Sequence, residues 1–184
     1  MKFNIHRNLE GMHAIFSPSQ SHWLRYDDEK VLQVYANRKA AELGTRLHRW
    51  AKETIDLGIK QSKSNKTLCR FVNDAIGFRM STEVVLFYSE NCFGTADAIS
   101  FNDGILRIHD LKTGSTGTID GHFEQLEVYA ALFCLEYNIK PKDITIELRV
   151  YKNDEMFVHK PDPEDIETVM DIIVHHDELV SKVR

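Results

Sequence analysis

The feature that most constrains the fold is a hairpin signal at Asp103-Gly104, between two strand-like segments. The segment 93–100 (FGTADAIS) precedes this dipeptide and the segment 105–112 (ILRIHDLK) follows it. An Asp-Gly pair readily adopts the positive φ angles that a tight two-residue turn requires. The two segments are therefore predicted to pair as antiparallel strands.

The elements around this hairpin predict an α/β fold. Ser17-Pro18-Ser19 is typical of a helix start, and Gly58 is a predicted helix stop. The elements then follow in the order helix, helix, three strands, helix, two strands and helix, over residues 31–57, 68–76, 83–89, 93–100, 105–112, 122–139, 144–152, 155–160 and 163–182. Because a strand, a helix and a strand in succession normally form a parallel pair, we expect a mixed sheet with helices on its faces.

The length of 184 residues suits one domain over 1–184, with a core at about 31–160 and the helix 163–182 as a C-terminal addition. In the last helix, the apolar spacing predicts that Ile166, Val169, Ile173 and Val180 face inward. In the first long helix, the same reasoning predicts an apolar stripe of Leu43, Leu47, Trp50, Ala51 and Ile55.

The charge distribution is asymmetric although the net charge is only −5. Basic residues are concentrated over 38–70, whereas the stretch 162–178 is mostly acidic. The basic residues are Arg38, Lys39, Arg46, Arg49, Lys52, Lys60, Lys63, Lys66 and Arg70. This pattern is compatible with a phosphate-binding face and equally with an ordinary solvated surface.

The sequence predicts a cytoplasmic protein without a membrane span. No apolar run approaches the about 20 residues that a span needs, and the first residues do not resemble a signal peptide. The three cysteines, at 69, 92 and 134, are scattered and odd in number, so we expect reduced thiols. Because no Cys-x-x-Cys pair exists, we expect no iron–sulfur cluster.

The hairpin carries three residues that indicate chemistry: Asp97, Asp110 and Lys112. Strand alternation predicts that one side of the second strand carries Leu106, Ile108, Asp110 and Lys112, and that His109 points to the other side. In the first strand, it predicts a shared side for Thr95, Asp97 and Ile99. Hairpin pairing would bring Asp97 beside Asp110. Two such carboxylates repel unless a proton or a cation lies between them, so a divalent cation is one predicted occupant.

Four further polar residues have ordinary structural explanations when each is taken alone. His48 lies at the border of an apolar helix stripe, and Glu83 begins a strand, where a charge deters edge-to-edge association. Gln125 and Tyr129 lie four residues apart, so they share one face of a helix. They become informative only as part of a set.

That set of residues resembles the RecB-like branch of the PD-(D/E)XK nuclease superfamily, as found in small stand-alone nucleases of bacteriophages and bacteria. Five motifs occur in order: GTRLH at 44–48, EVVL at 83–86, FGTADAI at 93–99, IHDLKTG at 108–114 and QLEVYA at 125–130. The resemblance covers roughly 17–151. It implies a restriction-endonuclease-like αβββαβ core with helical additions at both ends, in a metal-dependent nuclease that hydrolyses DNA as an exonuclease in recombination, repair or processing.

The resemblance also implies a role for each site residue. One or two Mg²⁺ or Mn²⁺ ions would be bound by His48, the carboxylates of Asp97 and Asp110 and the main-chain carbonyl of Leu111. Hard oxygen ligands suit both ions, and an imidazole favours Mn²⁺. Lys112 would orient the attacking water or stabilise charge on the phosphate. Gln125 and Tyr129 also match the family pattern and would lie near the lysine. Glu83 matches it too, in a less defined role.

One departure from the family pattern is Asp110, where the family often has Glu. Relatives with four cysteines carry an iron–sulfur cluster, and this chain lacks that cysteine set. A nucleic-acid- or partner-binding protein with lost or regulated cleavage remains an alternative, and a small-phosphoester hydrolase is a more distant one. Exonuclease against endonuclease action stays open, as does the choice between a homo-oligomer and a recombination-protein partner. For a phage-encoded chain the compartment would be the host cytoplasm.

Overall fold

The computed structural model describes residues 7–9, 14–114 and 117–183. Four α-helices and five strands are present within those residues. In chain order they are α1 (Asp28–Asp56), α2 (Thr67–Gly77), β1 (Ser81–Ser89), β2 (Cys92–Asn102), β3 (Ile105–Lys112), α3 (Ile119–Tyr137), β4 (Thr145–Lys152), β5 (Glu155–His159) and α4 (Pro163–Ser181). The predicted element order is confirmed, with boundaries shifted by up to three residues.

Two compact units divide the chain, Met1–Leu43 and Gly44–Arg184, and the boundary falls within α1. The first unit holds the 3₁₀-helices Arg7–Leu9 and Pro18–Arg25 and the first part of α1. Pro18 begins its 3₁₀-helix after Ser17, as the sequence predicts. The indole of Trp23 donates a hydrogen bond back to the Ser17 carbonyl at 2.9 Å, which closes this short helix.

The second unit is built on a five-stranded mixed sheet in the order β1-β2-β3-β4-β5. β3 and β4 pair in parallel, and every other neighbouring pair is antiparallel. At the β2–β3 turn, Asn102 pairs with Ile105, and Asp103 and Gly104 have φ of 53° and 73°. The predicted hairpin is therefore confirmed, as is the α/β fold with a mixed sheet flanked by helices.

Each face of the sheet has its own core. The α3 face, covered by α3 and α4, buries an aliphatic cluster that includes Leu106, Ile108, Leu126, Leu148 and Ile166. The α2 face is covered by α2 and the part of α1 from residue 44 onwards, and it buries Ala51, Ile55, Phe71, Val72 and Tyr151 among others. Because β3 is central and covered on both faces, its residues 106 and 108–111 are buried.

Three of the predicted inward-facing residues are exposed. Val180 is 45 % exposed because it lies in the last turn of α4, beyond Ile173, the last buried residue of that helix. In α1, Leu43 is 52 % and Trp50 is 39 % exposed, so the predicted stripe is narrower and its buried members are Ala51 and Ile55. Among the described residues, no helix is both long and apolar enough to cross a membrane.

The strand β2 departs from the predicted alternation at Asp97. Its neighbours Ala96 and Ala98 pack into different clusters, Ala96 on the α3 face and Ala98 on the α2 face. In a regular strand, residues two apart lie on the same face. The prediction that Thr95, Asp97 and Ile99 share one side is therefore wrong, because Ile99 lies on the α3 face together with Ala96, the neighbour of Thr95.

Candidate functional site

The site begins with a contact between α1 and β2. His48 lies on the part of α1 that packs on the α2 face, and its Nδ1 is 3.4 Å from Oδ2 of Asp97. The same Oδ2 accepts a hydrogen bond from the backbone N–H of Leu111 at 2.9 Å. The hydrogen bond to Asp97 raises the pKa of His48 above its ordinary value, against the opposing effect of burial.

Glu83 joins this pair from the edge strand. Thr82 pairs with Ala98 and Val84 with Ala96, so Glu83 lies opposite Asp97 in the same register. Glu83 has a φ of 51°, in the left-handed region that residues other than glycine rarely adopt. Such strained residues cluster at functional sites, where the surroundings hold them in place.

His48, Glu83 and Asp97 offer ligand atoms that all lie within 4.8 Å of one another. An imidazole nitrogen and two carboxylates form a donor set that suits Mg²⁺ or Mn²⁺, with the imidazole favouring Mn²⁺. This group of three residues could therefore hold a metal ion.

Asp110 extends the group across the sheet. The β2–β3 register pairs Ala98 with His109, the residues next to Asp97 and Asp110. Asp110 is only 3 % exposed, and burial, followed by the charge of Asp97, raises its pKa to about 6. Its Oδ2 is buried and accepts no hydrogen bond, although Lys112 Nζ lies 3.0 Å away. A bound cation would explain a buried carboxylate oxygen that accepts no hydrogen bond.

A chain of polar contacts leads from Asp110 to α3. Lys112 Nζ donates to Oδ1 of Asp110 at 3.0 Å and to Oε1 of Gln125 at 2.9 Å. Gln125 Nε2 in turn donates to the hydroxyl of Tyr129 at 3.1 Å. Lys112, Asp110 and the apolar residues Leu106 and Ile108 share the α3 face, as strand alternation predicts.

Two glycines let side chains approach the site closely. A Cβ on Gly94 would lie 2.8 Å from the Tyr129 ring, so glycine makes room for the residue at the end of the polar chain. On α1, a Cβ on Gly44 would lie 2.8 Å from the hydroxyl of Thr113, directly after β3. The space beside Gly94 is thus occupied by an aromatic ring.

The structure brings together all the residues that the sequence singled out, in two linked sets. His48, Glu83 and Asp97 form one, and Asp110, Lys112, Gln125 and Tyr129 form the other. Leu111 contributes its amide N–H to Asp97, and a ligand role for its carbonyl stays a prediction.

Two residues near this site have no role assigned from the sequence. Thr113 packs against Gly44, and Lys152 lies beside Lys112 in the β3–β4 register.

Comparison with known proteins finds no matching family model, no significantly similar curated protein and no significantly similar solved structure. Function is therefore inferred from the side chains of the site.

Proposed function

We propose that the chain is a metal-dependent nuclease that hydrolyses DNA phosphodiester bonds, with the restriction-endonuclease-like core of the RecB-like PD-(D/E)XK branch. The observation that supports this most is the continuous contact from Asp110 through Lys112 to Gln125. This contact lies beside a second cluster of ligating groups around Asp97. Carboxylates that gather a cation next to a positioned ammonium suit phosphoryl chemistry.

The metal would be held by His48, Asp97 and Asp110, with Glu83 and the carbonyl of Leu111 as further ligands. Two features of the site fit such an ion: the mutual proximity of the His48, Glu83 and Asp97 donors, and the buried Oδ2 of Asp110 that accepts no hydrogen bond. When bound, Mg²⁺ or Mn²⁺ would supply Lewis-acid activation of water and neutralise charge on the phosphate.

Lys112 is the residue best placed to act on the phosphate or on the attacking water. Its ammonium has three donors, and Asp110 and Gln125 take two of them. A third N–H remains to donate to a phosphate oxygen or to orient water. The Tyr129 hydroxyl accepts a hydrogen bond from Nε2 of Gln125, which fixes the orientation of this amide so that its oxygen faces the lysine.

A polymeric substrate is supported by the basic residues of the stretch 38–70. Several of them are neutralised locally: Lys39 by Glu42, Lys52 by Asp56 and Lys66 by Asp154. Five others make no ion pair with the described part of the chain: Arg46, Arg49, Lys60, Lys63 and Arg70. Unpaired cations are available for phosphate contacts, whose number sets the salt dependence of binding.

The experiment that tests this function is incubation of the protein with labelled linear and circular DNA, single- and double-stranded, with Mg²⁺ and Mn²⁺ in turn. We expect cleavage that requires the metal and stops on chelation. Product sizes separate exonuclease from endonuclease action. Metal binding without cleavage of any of these DNAs, or of RNA, would favour the alternative of a binding protein with lost or regulated cleavage.

A further inference from the structure

A second lysine at the end of the sheet, Lys152, is buried beside the proposed catalytic lysine. Lys152 is the last residue of β4 and only 4 % exposed. Its Nζ donates to the carbonyl of Gly117 at 2.7 Å and contacts Nε2 of His122 at 3.1 Å. Because an ammonium can only donate, this contact is a hydrogen bond when Nε2 of His122 carries no proton.

Lys152 and Lys112 occupy matching positions on neighbouring parallel strands. The β3–β4 register pairs the two residues directly, so both side chains lie on the α3 face. Lys112 reaches Gln125 and Lys152 reaches His122. His122 and Gln125 are three apart on α3 and therefore neighbours on one helix surface. Two lysines thus hold the first two turns of α3 from adjacent strands.

The contacts of Lys152 lie at the very start of α3. Thr118 caps this helix by accepting a hydrogen bond from the Gly121 N–H. Lys152 binds the residue before that cap, Gly117, and a residue of the first turn, His122. Gly117 has a φ of 83°, and a Cβ there would lie 2.6 Å from the His122 ring. The glycine therefore lets the ring lie against the loop that Lys152 holds.

The charge of Lys152 is the wrong one for a residue that only stabilises the helix. The N-terminus of a helix carries partial positive charge, which favours anions and disfavours an ammonium. Burial of an ammonium is a further cost unless hydrogen bonds compensate it. A cation at this place is better explained by what it holds in position than by a contribution to helix stability.

We propose that Lys152 is a positioning residue for the catalytic centre, an inference that rests on the proposed nuclease function. Lys152 fixes the start of α3, and α3 carries the Gln125 amide that orients Lys112. Loss of the Lys152 contacts would let the Gln125 and Lys112 side chains shift while the metal ligands on α1, β1, β2 and β3 stay in place. A displacement of about 1 Å can lower a rate by about 10²-fold.

The test compares Lys152→Met with Lys152→Arg, which keeps a cationic donor, and with Lys160→Met at an exposed lysine after β5. For Lys152→Met we expect kcat on labelled DNA to fall by about 10- to 100-fold, with KM and the Mn²⁺ dissociation constant nearly unchanged. Lys152→Arg should recover a large part of the rate. Lys160→Met should match the wild type.

Hydrogen–deuterium exchange gives a readout that needs no catalysis. We expect faster exchange over 117–125 in Lys152→Met and unchanged exchange in Lys160→Met. If the wild type cleaves no DNA, the nuclease proposal fails, while unaltered exchange in Lys152→Met would overturn the positioning role by itself. A wild-type kcat in Lys152→Met, or a parallel loss of kcat, metal affinity and melting temperature that arginine does not rescue, would also overturn it.

Discussion

His109 and Asp110 are consecutive residues of β3, both are buried, and they face opposite sides of the sheet. His109 is 0 % exposed and Asp110 is 3 % exposed. Burial works against the charged form of each group, because it lowers the pKa of His109 to about 3 and raises that of Asp110 to about 6. Each also keeps one polar atom without a hydrogen bond, Nε2 of His109 and Oδ2 of Asp110.

The surroundings of His109, on the α2 face, form a closed structural network. Its Nδ1 lies 3.3 Å from the Tyr151 hydroxyl, which donates to Asp74 at 2.6 Å. The Phe78 ring packs edge-on against the imidazole, with 5.7 Å between ring centroids, and it also contacts the guanidinium groups of Arg107 and Arg149. These contacts join α2 to β3 and β4 and leave His109 enclosed.

The surroundings of Asp110, on the α3 face, are open by contrast. Its partner Lys112 retains 23 % side-chain exposure, and the nearby side chains of Asp97 and His48 retain 19 % and 29 %. Perturbed pKa values and atoms without hydrogen bonds therefore do not distinguish the two residues. What distinguishes Asp110 is its contact with Lys112 and the nearby accessible charges of Asp97 and His48, an arrangement that suits a reaction site.

The largest expected difference between the two residues concerns cleavage. Asp110→Asn removes a charge from the proposed metal site and should lower the DNA cleavage rate by about 10³-fold. His109→Gln, one position away, should keep the rate within about threefold of the wild type, provided that circular dichroism shows both variants folded. Equal losses in both variants would mean that β3 matters only as a structural element.

A smaller effect is expected on metal binding. His48→Ala and Glu83→Gln each remove a group from the cluster around Asp97 and should weaken Mn²⁺ binding by about 10- to 100-fold in calorimetric titrations. His48→Ala should also reduce the preference for Mn²⁺ over Mg²⁺, because imidazole is the softer ligand. His109→Gln serves as the control and should bind Mn²⁺ like the wild type.

The smallest expected difference between the two residues concerns how the free energy of unfolding depends on pH. His109 binds its proton more readily when unfolded, at an ordinary pKa of 6.5, than when folded, at about 3. The contribution of His109 to the free energy of unfolding is therefore complete above pH 6.5 and is lost as the pH falls toward 3. Between pH 7.5 and 5.5 the wild type should lose about 1.4 kcal/mol more than His109→Gln in urea unfolding.

Asp110 changes the pH dependence of stability in the opposite direction, because its pKa in the folded protein lies above the ordinary value of 3.8. The penalty for its burial is present above pH 6 and is relieved as the pH falls toward 3.8. Since both proteins in the urea comparison contain Asp110, its contribution cancels. An unfolding free energy of His109→Gln that varies with pH as steeply as that of the wild type would contradict the assignment to His109.

Local patterns predicted much of this fold from the sequence. Asp103-Gly104 forms the expected turn because positive φ at both residues is a property of the dipeptide itself. Alternation along 105–112 correctly separated His109 from Asp110, since β3 is regular. The hairpin also predicted that Asp97 and Asp110 lie near each other, since the pairing runs up to their neighbours Ala98 and His109.

Features that depend on neighbouring elements could not be predicted in this way. The positive φ of Glu83 and the break in alternation at Asp97 arise where β1, β2 and α1 meet. Lys152 ends a strand in which apolar and polar residues alternate, and the alternation places it on the apolar side, but a lysine before a tight turn is typical of a solvent-exposed strand end. Its burial depends on the loop and helix that follow β3, which no local pattern reveals.

Diffraction from crystals grown with Mn²⁺, recorded at the manganese absorption edge, is the most direct test of the proposed metal site. We expect an anomalous peak within about 2.5 Å of the His48 ring and of carboxylate oxygens from Asp97 and Asp110. Ordered Mn²⁺ found only at other carboxylates, with the side chains of His48, Asp97 and Asp110 pointing away from one another, would contradict it.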